Sequence, residues 1–183
     1  MPRTARFTRD DWAAAALHAL TEGGVSAVAV EPVAARLGAS KSSFYWLFDD
    51  RRALLEAALE RWERVQTEQV VTFLAEIADP AERLRVLIRR AFSAPGGADL
   101  ALRLLTEADQ PAVEPAAERV TRRRLAVLTE TFTELGLTPE RARHHATASY
   151  ALYLGTAALH RVSAAPDDIE AYVGFITHAL IPT

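Results

Sequence analysis

The chain has 183 residues, half of them hydrophobic and a quarter charged, the balance of a folded globular protein and not of a disordered one. It contains no cysteine, which excludes disulfides, thiolate metal sites and a cysteine nucleophile, and fits a reducing cytoplasm. A net charge of −3 does not by itself advertise a nucleic-acid binder. Charged side chains interrupt every apolar run before it could span a bilayer, and residues 1–6 lack the apolar stretch of a secretory leader. No membrane partner and a cytoplasmic location are therefore expected. Residues 1–52 hold seven Lys/Arg against six Asp/Glu, and residues 53–183 hold fourteen against eighteen, so any meeting with phosphate is expected near the N-terminus.

Spacings of three and four recur throughout and period-2 alternation is nearly missing, which predicts an all-α fold. The first helix follows Thr8, which with Asp11 can form a capping box, and places Trp12, Ala15, Ala16, Ala19 and Leu20 on one face. Gly23-Gly24 ends it. A short helix is predicted over residues 30–37, with Pro32 tolerated in its first turn. After Gly38-Ala39, Ser40 is a ready N-cap for a third helix over residues 41–48. A long fourth helix starts after Asp49-Asp50 and stops near Asp79-Pro80. Five more are predicted over residues 81–92, 99–108, 113–135, 139–162 and about 167–180. Gly136 is the αL cap of the 113–135 helix, and Pro139 takes the N1 position of the next. The sum is about nine helices, with a loose Ala94-Pro95-Gly96-Gly97 stretch between the fifth and sixth.

Two short helices joined by a glycine turn suggest a helix-turn-helix. At about 100° per residue, Phe44 and Phe48 point inward with Val33 and Leu37 against Trp12 and Leu20. Ser42 and Trp46 then point outward, flanked by Ser43 and Tyr45, with Lys41 at the N-terminal end and Leu47 at the border. Hydroxyls, an ammonium and aromatic edges on one face suit the major groove and its phosphates.

The stretch Val33-Ala34-Ala35-Arg36-Leu37-Gly38-Ala39-Ser40-Lys41-Ser42-Ser43-Phe44-Tyr45-Trp46-Leu47-Phe48, followed by Asp49-Asp50-Arg51-Arg52-Ala53-Leu54-Leu55, resembles the DNA-binding domain of TetR-family transcriptional repressors. The resemblance covers about residues 8–60. It implies a DNA-binding domain over residues 1–50 and a ligand-binding and dimerisation domain over residues 51–183. It implies base contacts from Lys41, Ser42 and Ser43, and phosphate contacts from Tyr45, Trp46 and Arg51. Three positions depart from the family pattern: Ala29 replaces a capping Thr, Glu31 replaces a residue that is often basic, and Leu47 replaces a His. Arg3, Arg6 and Arg9 form a candidate basic arm that could compensate.

The same resemblance implies a cavity among the later helices, whose occupation by a small-molecule effector shifts helix four. Candidate lining residues are Trp62, Gln66, Gln69, Phe73, Phe92, Leu105, Glu107, Leu128 and Tyr150, with Thr106 and His145 as further polar anchors. A cavity lining and a packed core have the same composition, so the sequence leaves both open. The last two helices would form a homodimer interface: Leu154, Gly155, Ala158 and Leu159 permit close approach, and Tyr172, Phe175, Ile176 and Leu180 make a stripe.

Arg122-Arg123-Arg124 spans most of a helix circumference and reads as a solvated face paired with Glu118 and nearby acids. His144, His145 and His160 lack metal-ligand spacing, and no phosphate loop or nucleophile elbow appears. Neither a cofactor, a metal nor an enzyme activity is expected. Two functions fit: a ligand-responsive repressor on a palindromic double-stranded DNA operator, or a helical ligand-binding or interaction protein that has lost specific DNA binding.

Overall fold

A computed structural model describes residues 7–93 and 97–181, so Arg3, Arg6 and most of the 94–97 stretch lie outside the described residues. The described residues are all-helical, without strands. Helix α1 (Arg9–Gly23) begins as its sequence predicts: the Asp11 N–H donates to Thr8 Oγ1 at 3.1 Å, and the Thr8 N–H donates to the Asp11 carboxylate at 2.8 Å. A short 3₁₀ turn (Val25–Ala27) that periodicity did not announce leads into α2 (Val30–Leu37). Ala29 caps α2 with no side-chain hydrogen bond, as its lack of an oxygen dictates. Gly38 turns the chain in the αL conformation, φ 66°, and Ser40 caps α3 (Lys41–Tyr45). Helix α3 is shorter than predicted because the N–H groups of Leu47 and Phe48 both converge on the Phe44 carbonyl, tightening the end into a turn. That turn carries Phe48 back under Trp12, their ring centroids 6.5 Å apart.

The predicted long fourth helix is one continuous rod in three parts. Helix α4 (Arg51–Glu63), N-capped by Asp50, passes into a π-helical stretch (Arg64–Glu68) and then α5 (Gln69–Ala75). Across the stretch the Gln69 N–H reaches five residues back to the Arg64 carbonyl. The rod is followed by α6 (Pro80–Ser93), α7 (Gly97–Thr106), α8 (Glu114–Glu134), α9 (Pro139–Arg161) and α10 (Ile169–Leu180). Counting the rod once, the described residues form the nine helices that periodicity predicts.

Two apolar cores organise them. The first joins α1–α3 to α4, α7 and the start of α8, so Trp12, Phe44, Leu55, Trp62, Leu104 and Val120 share one interior. The second holds α6, the end of α8, α9 and α10 around Leu84, Ile88, Phe132 and Ile176. Helix α4 therefore buries its apolar face in the same core as the short helices, which ties their orientation to its own.

Candidate nucleic-acid interface and cavity

Burial of Phe44 and Phe48 fixes which face of α3 and its turn meets solvent. Tyr45 and Trp46 project outward at 59% and 87% exposure, which is costly for large aromatics and marks a contact surface. Ser42 is exposed beside them, 2.9 Å from the Ser40 hydroxyl, while Ser43 turns its hydroxyl back to the Ser40 carbonyl at 2.7 Å. Lys41 is exposed but engaged: its Nζ donates to the Glu31 carboxylate at 2.8 Å. That hydrogen bond holds the Glu31 carboxyl below its ordinary range and lifts the Lys41 ammonium above its own. Arg9 is placed close by, its guanidinium over the Phe48 ring and donating to the Leu47 carbonyl.

Arg51 departs from its expected place. Its Nε and Nη2 donate to the carbonyls of Val28 and Val25. It clamps the first turn of α4 to the 3₁₀ turn that precedes α2, and two of its three nitrogens are turned away from any phosphate. The 3₁₀ turn is what makes those carbonyls available, and periodicity gave no sign of it.

A cavity of about 310 Å³ lies between the rod, α6, α8 and α9, within the usual size of a small-molecule site. Of the residues expected to line it, Gln66, Phe92, Leu128 and Tyr150 do so. The others are elsewhere. Trp62 is buried in the first core, donating its indole N–H to Gln66 Oε1 at 3.2 Å. Gln69 is exposed, and Phe73 is 42% exposed beneath the Arg90 guanidinium. Leu105 packs on the first core, and Glu107 accepts the Val25 N–H. For Gln69 and Phe73 the π stretch explains the shift, because its wider turn takes residues beyond Thr67 out of the phase a straight α-helix would give them. Thr106 bonds its own helix through the Arg103 carbonyl, and His145 packs on Phe132.

One wall residue was missed. Of the arginine run, Arg122 pairs with Glu118 and Arg123 with Glu68, but Arg124 turns inward. Its Nε donates to Thr67 Oγ1 and its Nη2 to the Gln66 carbonyl, and it stands over the Trp62 ring. The signal was present: Arg124 lies four residues from Val120 and four from Leu128, on the buried stripe of α8.

Residues 13–58 match the family model described as bacterial regulatory proteins, tetR family. This N-terminal module is similar to that of the TetR family. The matched segment runs from α1 through most of α4 and includes the whole TetR-type reading turn. The architecture beyond it agrees in fold with solved structures. A TetR regulator from Legionella pneumophila aligns over 100% of both chains with TM-score 0.82 and 14% identity. Escherichia coli NemR in its reduced form aligns over 97% of this chain and 98% of its own, with TM-score 0.78 and 19% identity. A Saccharomonospora viridis regulator in complex with choline aligns over 93% and 95%, with TM-score 0.72 and 22% identity. None of the curated proteins matches in sequence. The module matched by residues 13–58 is that of bacterial regulatory proteins, and none of the described helices is long and apolar enough to cross a membrane.

Proposed function

We propose that the chain is a cytoplasmic, ligand-responsive repressor that binds a palindromic operator as a homodimer and leaves it when a small, mostly apolar molecule fills the cavity. Residues 1–50 read DNA and residues 51–183 hold ligand and partner. The observation that carries this reading is the rod α4–α5. At one end Arg51 fastens it to the backbone before α2, and in its middle the π stretch is held by Arg124 from the cavity wall. A shift at the wall is thereby communicated to the reading turn through one helix. The choline held by the similar S. viridis structure supports a ligand role for this architecture.

The homodimer reading rests on two exposed stripes. Ala151, Gly155, Ala158 and Leu159 face outward on α9, with Val162 exposed at its C-cap, and Gly174 and Phe175 face outward on α10. Val162 and Phe175 are 70% and 68% exposed. Ile176 and Val173 turn into the second core, so the α10 stripe is divided between the chain's own body and a partner.

The test is binding to DNA flanking the gene as salt is varied. A repressor gives a specific shift well above its binding to random DNA, with affinity falling steeply as salt rises. The alternative, a helical ligand-binding or interaction protein, is favoured by the Lys41–Glu31 pair and the engagement of Arg51, which reduce the positive charge offered to DNA. It gives no shift above non-specific levels.

A further inference from the structure

The charge on the cavity wall is one-sided. Its lining includes two arginines, Arg90 and Arg124, and no Asp or Glu. Arg124 has no ion pair among the described residues. Its two bonded nitrogens donate to neutral oxygens, Thr67 Oγ1 at 3.1 Å and the Gln66 carbonyl at 3.2 Å, and its Nη1 is buried with no acceptor. A half-buried cation without a counter-charge, one of whose nitrogens is buried and unpartnered, gains from an arriving acceptor. The neighbouring phenol supplies no charge: burial pushes Tyr153 above its ordinary range, against the opposing charge and hydrogen bonding of Arg124, so the Tyr153–Arg124 contact is with a neutral oxygen. The rest of the wall is aliphatic and aromatic, including Leu74, Leu84, Ile88 and Phe92.

Resting on the reading of this cavity as the effector site, we propose that its ligand is an apolar monoanion, a carboxylate on a hydrocarbon body, with the carboxylate received by Arg124. The hydrocarbon lies against the aliphatic wall, and the carboxylate accepts from Nη1. The planar guanidinium suits a carboxylate better than a point charge would. Because the other two nitrogens hold the π stretch, the residue that receives the ligand also grips the rod, and a carboxylate drawing on Arg124 competes with Thr67 and Gln66 for it. The Arg124 guanidinium disfavours a cationic ligand, whereas the exposed Arg90 guanidinium is stacked on Phe73.

The test is isothermal titration of the full chain with hexanoate, decanoate and 4-phenylbutanoate, each beside its alcohol and its amine, and repeated on Arg124→Gln and Arg124→Lys. Thermal melting verifies that each variant is folded. At least one acid should bind about 10- to 100-fold more tightly than its own alcohol, with the amine weakest. Arg124→Gln should abolish that preference, and Arg124→Lys should retain part of it. Alcohols binding as well as acids, no acid binding at all, or a preference surviving Arg124→Gln would each overturn the proposal. The same compounds added to the DNA complex separate the two readings. Alcohols that bind and release DNA leave the repressor standing without the anion site. An acid that binds through Arg124 but leaves DNA bound keeps the site and removes the effector role.

Discussion

Glu107, just beyond α7, accepts a hydrogen bond from the backbone N–H of Val25 at 3.2 Å, across a sequence separation of 82 residues. Next to it, Gly24 has φ 73°, and a Cβ there would lie 2.8 Å from Glu107 Oε1. The end of α7 is thus seated on the turn that feeds the reading helices. Gly24→Ala combines left-handed backbone strain with this close approach and should cost about 1–3 kcal/mol. Glu107→Ala leaves the Val25 N–H without its partner and should cost about 1–3 kcal/mol. Chemical denaturation checks both, and wild-type midpoints would refute the seating.

Arg51→Ala is expected to act through stability before DNA. It removes two charged hydrogen bonds to backbone carbonyls, worth about 1–3 kcal/mol together after discounting for exposure. Its melting temperature should fall, while the slope of DNA affinity against salt should stay near wild type. A slope reduced by about one unit with unchanged melting would return Arg51 to the phosphate role that the family resemblance implies.

Glu31→Gln should strengthen DNA binding. The substitution releases Lys41 from its 2.8 Å ion pair and removes a negative charge beside the reading face. Tighter binding with a salt slope steeper by about one is expected. Weaker binding would mean that Glu31 positions Lys41 for its base contact.

Phe175→Asp should convert a dimer to monomers. It places a charge in the centre of the proposed interface, yet the side chain is 68% exposed within one chain, so the fold should survive. Sedimentation velocity at micromolar concentration distinguishes the species, and operator affinity should fall with dimerisation because the two half-sites, about one turn of DNA apart, are no longer linked.

Cavity filling separates Gln69 from Val70. Gln69 is exposed, so Gln69→Trp should leave melting and ligand binding near wild type, whereas Val70 lies on the cavity wall. Val70→Phe should weaken binding of any cavity ligand at least tenfold while preserving the fold. Equal behaviour of the two variants would refute the assignment of the wall.

The parts of the molecule that were legible in the sequence are those set by neighbours in the chain. The Thr8–Asp11 box, the Ser40 and Asp50 caps, the αL glycines and the packing of Phe44 and Phe48 all follow from local hydrogen bonding and the 3.6-residue period. Those same features made the reading turn recognisable, and Tyr45 and Trp46 project from it as expected.

Local patterning could not supply the pairings made across the fold. The roles of Arg51, Glu107 and Arg124 depend on which distant carbonyl, N–H or hydroxyl reaches them, and those partners lie 23 to 82 residues away. The π stretch also escaped the pattern, since a helical period assumes the i to i+4 bonding that this segment gives up, and Gln69 and Phe73, assigned beyond it on the same rod, inherited the wrong phase. The sequence alone determined the helices and the face of α3 that meets solvent, because burial of apolar side chains at helical spacing decides both. Only the tertiary structure decided which side chains line the cavity and which arginine stands there unpaired, because a long cation takes its environment from the helices packed around it and not from its own.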